Sequence, residues 1–494
     1  MPQANVYVLY TGGTFGMAPN MDRPGHPLEP QLLSEIEKNL PQPSAFADGA
    51  DIVVKFASLE GDRRLDSSSM KPSDWKEIAR QIHDNYDKYD GFVVIQGTDT
   101  LSYTASALSF MFENLGKPIV VTGSQLPLVN PRSDAKLNYG HAVMIAGHKA
   151  TDLPRISEVV VVFADKVLRG CRTRKMSASA WTGFESPNAP PLGEIGEHLV
   201  IYENQLRPHP APDLKVQLHT DLEEDVLDIS LYPGLKADHL RAILLLPNVR
   251  GVVLRTYGTG NAPDDELFLN ALSEGFQDRK TVVNISQCPQ GSVEMGLYAA
   301  SVGLIDRGVL SGMDMTPEAA LTKLMFILGT RVGKQAQVQM QINQRGEQSQ
   351  NLFDISFGEP NDTDFGRLLS DRISRSVLAD RRFKQNDLSA AVLRISHLEV
   401  ELDADAEEKP SILVFMNFPR AEPFKPGNSD RGRCIHVIEL DGGKKTQNLQ
   451  IVQQLKRDLI KNIIGEGDIT LTLIPSKGVR FSIPDLSLSL FTRA

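Results

Sequence analysis

The sequence predicts an α/β protein with three folded parts: a larger N-terminal α/β domain (1–195), a smaller second α/β domain (229–350) reached through a linker (196–228), and an α+β module (351–494). Three observations carry this reading. From residue 4 to about 190, short Val- and Ile-rich runs alternate with longer stretches of helical period, as successive βα units do. After a polar, proline-bearing interruption the alternation resumes from 251 to 329. Beyond about 350, strand and helix patterns no longer alternate strictly.

Taken in order, the expected strands of the first domain are VYVLY (6–10), IVVKFAS (52–58), GFVVIQG (91–97), PIVVTGS (118–124) and VVVVFAD (159–165). Most are continuous apolar runs, which suits parallel strands covered on both faces. PSDWKEIARQIHDNY (72–86) opens on Pro72, Ser73 and Asp74 as a helix start, and TLSYTASALSFMFENLG (100–116) is expected to run as a helix to Gly116 as its C′ residue. The stretch from Ser186 to about Asp228 has no clear period. The second domain is expected to hold GVVLRTYG (251–258), a helix near 264–278, TVVNISQ (281–287), a helix near 296–307 and PEAALTKLMFILG (317–329). In the last module FDISFG, AAVLRISHLEVEL, SILVFMNF, CIHVIEL and ITLTLIP read as strands, with helices near 364–380 and 447–464. No repeat period is visible.

The 494 residues are 41% hydrophobic and 23% charged, too many for one compact unit and too apolar for disorder. With 52 basic and 62 acidic side chains the net charge is -10, which argues against nucleic acid as a partner. Cys171, Cys288 and Cys434 lie far apart, with no pair at metal-ligand or redox spacing, so a reducing, cytoplasmic setting is expected. The start, MPQANVYVLY, has no basic segment before a long apolar run, and no stretch approaches the roughly 18 apolar residues of a membrane helix. A soluble, unexported protein with no membrane partner is the expectation.

Four segments carry chemistry. The first strand runs into YTGGTFGM (10–17), where Gly12 and Gly13 allow a sharp turn that presents Thr11 or Thr14 at the strand's carboxyl end. QGTDTLSYTAS (96–106) places Thr98 and Asp99 at the equivalent point of a later unit, although Asp99 or Thr100 is equally suited to capping the next helix. LDSSSM (65–70) offers Asp66 toward an ammonium and Ser67 and Ser68 toward a carboxylate. LRGCRTRKMSASAWTGFESPN (168–188) holds four basic residues in seven positions, and a lysine placed beside Asp99 would be tuned for proton transfer.

These segments, with RSDAKLN, RTRK, LRTYGTGNAP and DMTPEAALTKL, resemble the bacterial type I (cytoplasmic) L-asparaginases over residues 4–348, in order and at nearly the same spacing. The resemblance implies the two-domain asparaginase-type fold and hydrolysis of L-asparagine to L-aspartate and ammonia. It makes Thr14 the nucleophile and groups Thr98, Asp99 and Lys175 as the second catalytic cluster, Asp99 also holding the substrate's α-ammonium. It assigns Asp66, Ser67 and Ser68 to substrate anchoring, and backbone amides at Thr98 and Ser124 to the oxyanion. It implies no metal or organic cofactor, and a homo-oligomer, dimer or tetramer. The family's loop tyrosine has no counterpart in APNMDRPGHPLEP (18–30), where His26 stands closest to its place. A second, allosteric asparagine site is implied at Arg255, Ser286, Gln287 and Cys288, with Arg255 clamping the α-carboxylate. Residues 351–494 have no counterpart and no assigned role. The alternatives are a glutaminase, an ammonia-generating amidotransferase subunit, or a catalytically weakened asparagine sensor.

Overall fold

The computed structural model describes residues 2–493 except 47–48, 278–279 and 296–298 and, toward the C-terminus, 357–360, 364–365, 371–387, 404–408, 417–433, 443, 456–459, 461–469, 476–478 and 483–484. The first domain is built on an eight-stranded sheet of β1 (Ala4–Tyr10), β2 (Ile52–Ser58), β3 (Gly91–Ile95), β4 (Ile119–Thr122), β5 (Val159–Phe163), β6 (Lys166–Arg169), β7 (Gly193–Ile195) and β8 (Leu199–Ile201). Its order is β8-β7-β6-β5-β4-β3-β1-β2; the five from β5 to β2 are parallel and the other three antiparallel. Helices α1 (Leu33–Asn39), α2 (Pro72–Asp84), α3 (Leu101–Met111) and α4 (Ala135–Ala146) accompany it.

The apolar runs are continuous because both sheet faces are covered. Along β1, Tyr7 and Leu9 enter one core cluster with Ile78, Ile82 and Leu108, while Val6, Val8 and Tyr10 enter another with Tyr139, Ala142 and Val143. Phe92 and Val94 of β3 divide from Val93 and Ile95 in the same way. Each buried Val or Leu contributes about 1.5–3 kcal/mol, so the alternation fixes register as well as stability.

A second sheet, all parallel and in chain order, comprises β9 (Val226–Ser230), β10 (Gly251–Thr256), β11 (Thr281–Ser286) and β12 (Leu310–Ser311). With it come α5 (Ala237–Leu244), α6 (Glu266–Gln277), α7 (Ala299–Asp306), α8 (Pro317–Thr330) and α9 (Lys334–Gln341). Helix α8 starts cleanly: Thr316 accepts the Ala319 amide at 3.1 Å and Pro317 takes the first helical position. It packs on α3 of the first domain, Phe110 stacking on Phe326 at 6.2 Å.

Three expectations are corrected. The helix expected to reach Gly116 stops at Met111: Phe112–Glu113 pairs as a short strand with Gln217–Leu218, Asn114 takes the positive φ of 55°, and the Gly116 amide donates to the Tyr86 hydroxyl. The expected linker carries sheet at both ends, since β8 belongs to the first sheet and β9 to the second. In the last module Gly366–Ser370 and Thr446–Gln454 are strands where helix was expected; positions 371–380 and 456–459 lie outside the described residues.

The described residues after 349 form two five-stranded antiparallel sheets. One contains Gln350–Ser356, Leu388–Leu402, Thr446–Gln454, Val479–Ser482 and Asp485–Arg493; the other contains Asn361–Thr363, Gly366–Ser370, Ser411–Met416, Cys434–Glu439 and Thr470–Pro475. Leu393 and Leu488 from the first and Val414 and Leu473 from the second share one core cluster, together with Ile342 from the segment after α9. That segment is pinned to the two α/β domains: Asp314 accepts the Ser349 amide at 2.9 Å, and Arg172 donates to Gly346 O at 2.8 Å and Ser349 Oγ at 2.9 Å.

Candidate active site

The parallel strands run β2-β1-β3-β4-β5, so chain order reverses between β1 and β3. Ligands of open α/β sheets bind in the crevice beyond the carboxyl ends of such a pair. β1 ends at Tyr10, four residues before Thr14, and β3 ends at Ile95, three before Thr98.

Glycines bring the two turns together. Gly13 has φ 83°, and a Cβ there would lie 2.2 Å from Gly97 Cα; one at Gly97 would lie 2.6 Å from Ser67 Oγ. Thus the Thr14 turn approaches the backbone of Leu65 and of Gly97, and Gly97 in turn lies against the Ser67 side chain. Gly13 N donates to Leu65 O at 2.9 Å and Leu65 N to Thr11 O at 2.8 Å, extending β-like pairing past β1. Of the two candidate threonines, Thr11 is fully buried and its hydroxyl donates to Ile95 O, whereas Thr14 is part-exposed at the head of a short 3-10 turn.

Around the 97–99 loop, Ser67 Oγ accepts the Asp99 amide at 3.3 Å, and the Thr100 hydroxyl donates to Ser67 O at 2.8 Å rather than capping α3. Asp66 accepts both the amide and the hydroxyl of Ser68, at 3.0 and 2.9 Å. The Lys175 ammonium donates to Thr98 Oγ1 at 2.8 Å and Asp99 Oδ1 at 2.7 Å. Thr98 is buried while the Asp99 side chain is 65% exposed, so this cluster has a dry end and an open one.

Lys175 is held by pairing of Arg174–Lys175 with Phe184–Glu185. The intervening turn is tied back by Gln125, whose amide donates to Ala180 O at 2.7 Å. Ser124 is buried, its hydroxyl turned to Leu126 O, and Asp134 holds the following loop by accepting the amides of Gln125 and Leu126. His26 is exposed at φ 48° in the turn joining the paired strands Met17–Pro19 and Leu28–Pro30.

In the second sheet, Arg255 lies at the carboxyl end of β10, but its guanidinium is already engaged bidentately by Asp228, at 2.7 and 2.6 Å. Ser286 Oγ donates to Gly258 O, Gln287 Nε2 donates to Leu231 O and Arg255 O, and Cys288 is exposed. Local sequence does not reveal Asp228, nor Glu318 at the first turn of α8. Burial raises the Glu318 carboxyl above its ordinary range, its own amide and nearby Arg174 opposing. Since Arg174 precedes Lys175, Glu318 is a second-domain neighbour of the lysine's strand. Among the described residues no three His, Cys, Asp or Glu side chains group as metal ligands, and no helix is long and apolar enough to cross a membrane.

Two threonines, a lysine and an aspartate stand at the switch point of a 2-1-3-4-5 sheet, with a smaller parallel domain packed against α3. The family description Asparaginase, N-terminal matches residues 5–207, and Glutaminase/Asparaginase C-terminal domain matches residues 225–340. The chain is 41% identical over 352 residues to L-asparaginase 1 of Escherichia coli (strain K12), spanning 70% of this chain and 98% of that one. The structure of L-asparaginase I from Vibrio cholerae superposes with a TM-score of 0.63 at 38% identity, over 70% of this chain and 100% of that one. The thermostable L-asparaginase from Thermococcus kodakarensis gives 0.61 at 30% identity, over 70% and 99%. The chain belongs to the asparaginase family and is similar to its type I members.

Proposed function

We propose that the chain hydrolyses L-asparagine to L-aspartate and ammonia through Thr14. Thr14 Oγ1 adds to the side-chain amide carbon, ammonia leaves with the threonine's proton, and water then cleaves the ester to release aspartate and restore the hydroxyl. The observation that carries this reading is the Lys175 amine on both Thr98 Oγ1 and Asp99 Oδ1. Thr98 and Lys175 relay the threonine's proton toward the departing ammonia, and Asp99 holds the lysine in place. Asp66, Ser67 and Ser68 anchor the amino acid, with Asp99 facing its ammonium, and the amides of Thr98 and Ser124 receive the oxyanion. At the loop, either His26 on its exposed turn makes the contact to the substrate, or a tyrosine arrives from elsewhere, or turnover is impaired.

The test is ammonia release from asparagine and from glutamine side by side. Activity on asparagine should exceed that on glutamine and vanish in Thr14→Ala; undiminished turnover in that variant refutes the assignment. At Arg255, with Ser286, Gln287 and Cys288 beside it, we infer a second asparagine site whose carboxylate replaces Asp228 on the guanidinium. Rate against asparagine should then be sigmoidal in the wild type and altered in Arg255→Ala, and a hyperbolic wild-type curve counts against it. The family reading also carries a cytoplasmic homo-oligomer, dimer or tetramer, which light scattering on the full chain would measure.

A further inference from the structure

The amino edge of the first sheet holds a cavity of about 170 Å³ at the far end of α3 from Thr98. Eleven helical residues separate the two ends, roughly 16 Å at 1.5 Å per residue. The walls include Ser109, Glu113, Ser157, Arg169, Arg207 and Arg345. Val159, the first residue of β5, also contributes, which places the cavity opposite the carboxyl-end crevice.

The three arginines are not equivalent. Arg169 is neutralised by Glu158, donating through Nε at 2.6 Å and Nη2 at 3.4 Å. Arg345 donates only to backbone carbonyls among the described residues: Nε to Ser109 O and Phe112 O, and Nη1 to Gln344 O at 3.1 Å. Arg207 Nη2 donates at 3.0 Å to the same Gln344 oxygen. Two guanidiniums therefore meet on one neutral acceptor. Such a pair repels, and partial burial weakens the screening by water; burial and Arg207 together lower the Arg345 pKa from its ordinary value. Glu347 and Glu113 answer only in part, because the first carboxylate is paired with Lys323 at 2.6 Å and the second is bonded to His219 at 3.0 Å. Ser157 Oγ, 2.7 Å from His209 Nδ1, adds a hydroxyl to the wall.

We propose that this cavity is a binding site for one small oxyanion, of phosphate or carboxylate chemistry, held between Arg207 and Arg345. Guanidiniums present paired N–H donors that fit either group, and a bound anion removes the repulsion between them. The volume is close to the roughly 150 Å³ that admits a benzene-sized guest, which limits the ligand to a single compact molecule. The site is separate from both the Thr14 crevice and the Arg255 region.

Calorimetric titration of the full chain in a chloride buffer with sodium phosphate, and separately with succinate, tests this. Saturable binding of at least one anion is expected, and which one binds identifies the phosphoryl or the carboxylate source. Arg345→Gln should weaken that binding by about tenfold or more, as loss of a charge-assisted pair does. Arg207→Gln, which removes one hydrogen bond to a carbonyl, should do the same while leaving asparagine hydrolysis at the wild-type rate, and so guards against misfolding of the first variant. Absence of saturable binding by either anion at millimolar concentration, or binding unchanged in both variants, overturns the proposal.

Discussion

Replacing Glu347 by glutamine should weaken the fold more than any substitution at the candidate active site. Glu347 and Lys323 are both fully buried and paired at 2.6 Å. The carboxylate also accepts the amides of Gln344 and Arg345, and the ammonium also donates to Met340 O, Ile342 O and Gln348 Oε1, so α8 is fastened to the segment following α9. Glutamine keeps the shape but removes the carboxylate charge paired with a buried ammonium, which costs roughly 3–5 kcal/mol. At about 2–4 °C per kcal/mol for a unit of this size, Tm should fall by at least about 6 °C in a thermal melt. Lys323→Met combined with Glu347→Leu should recover part of the loss and not all, because the Gln344 and Arg345 amides would then lack acceptors, at about 1–3 kcal/mol each. A Glu347→Gln melt that coincides with wild type would refute the reasoning.

The same pair predicts acid sensitivity. Burial alone would raise the Glu347 carboxyl, but Lys323 and the two amides outweigh it and hold the pKa at about 2 against an ordinary 4.5, so this stabilisation is present above pH 4.5 and is lost as pH falls toward 2. Tm measured against pH should drop less steeply over that window in Glu347→Gln. Lys175→Met should lower kcat on asparagine by about 10²–10⁴-fold with little change in Tm, since it removes the group proposed to move the proton and no core contact. Gly97→Ala should cost on the order of 10²-fold in kcat/KM, because the new methyl displaces Ser67 and the anchoring loop with it; kinetics equal to wild type would remove the close approach from the account.

Elements governed by local rules were legible in the sequence. Strands such as Ile52–Ser58, α2 with the Lys71 amide donating to Asp74, and α8 with its Thr316 cap follow from apolar runs and capping residues within a few positions. The grouping of Lys175 with Thr98 and Asp99 was expected because the βα pattern put two loops at one sheet edge and the family resemblance added the lysine. What escaped was decided by distant partners. α3 ends early because Phe112–Glu113 finds Gln217–Leu218 about a hundred residues away, and Thr446–Gln454 is extended because Leu388–Leu402 pairs with it. Asp228 on Arg255, Glu318 near Arg174 and Glu347 on Lys323 are likewise charge pairings that no local period encodes.

The join at residues 342–350 has a practical meaning for the C-terminal sheets. Ser349 is bonded to Asp314 and Arg172, and the next residue already begins a strand, so no tether of adjustable length separates the sheets from the enzyme. Ile342, which precedes that clamp, completes the core on the other side of it. Whatever binds those sheets is therefore held at a fixed offset from the catalytic body, not merely concentrated around it, and a stop codon at 350 would strip the cover from an apolar side chain as well as remove a module.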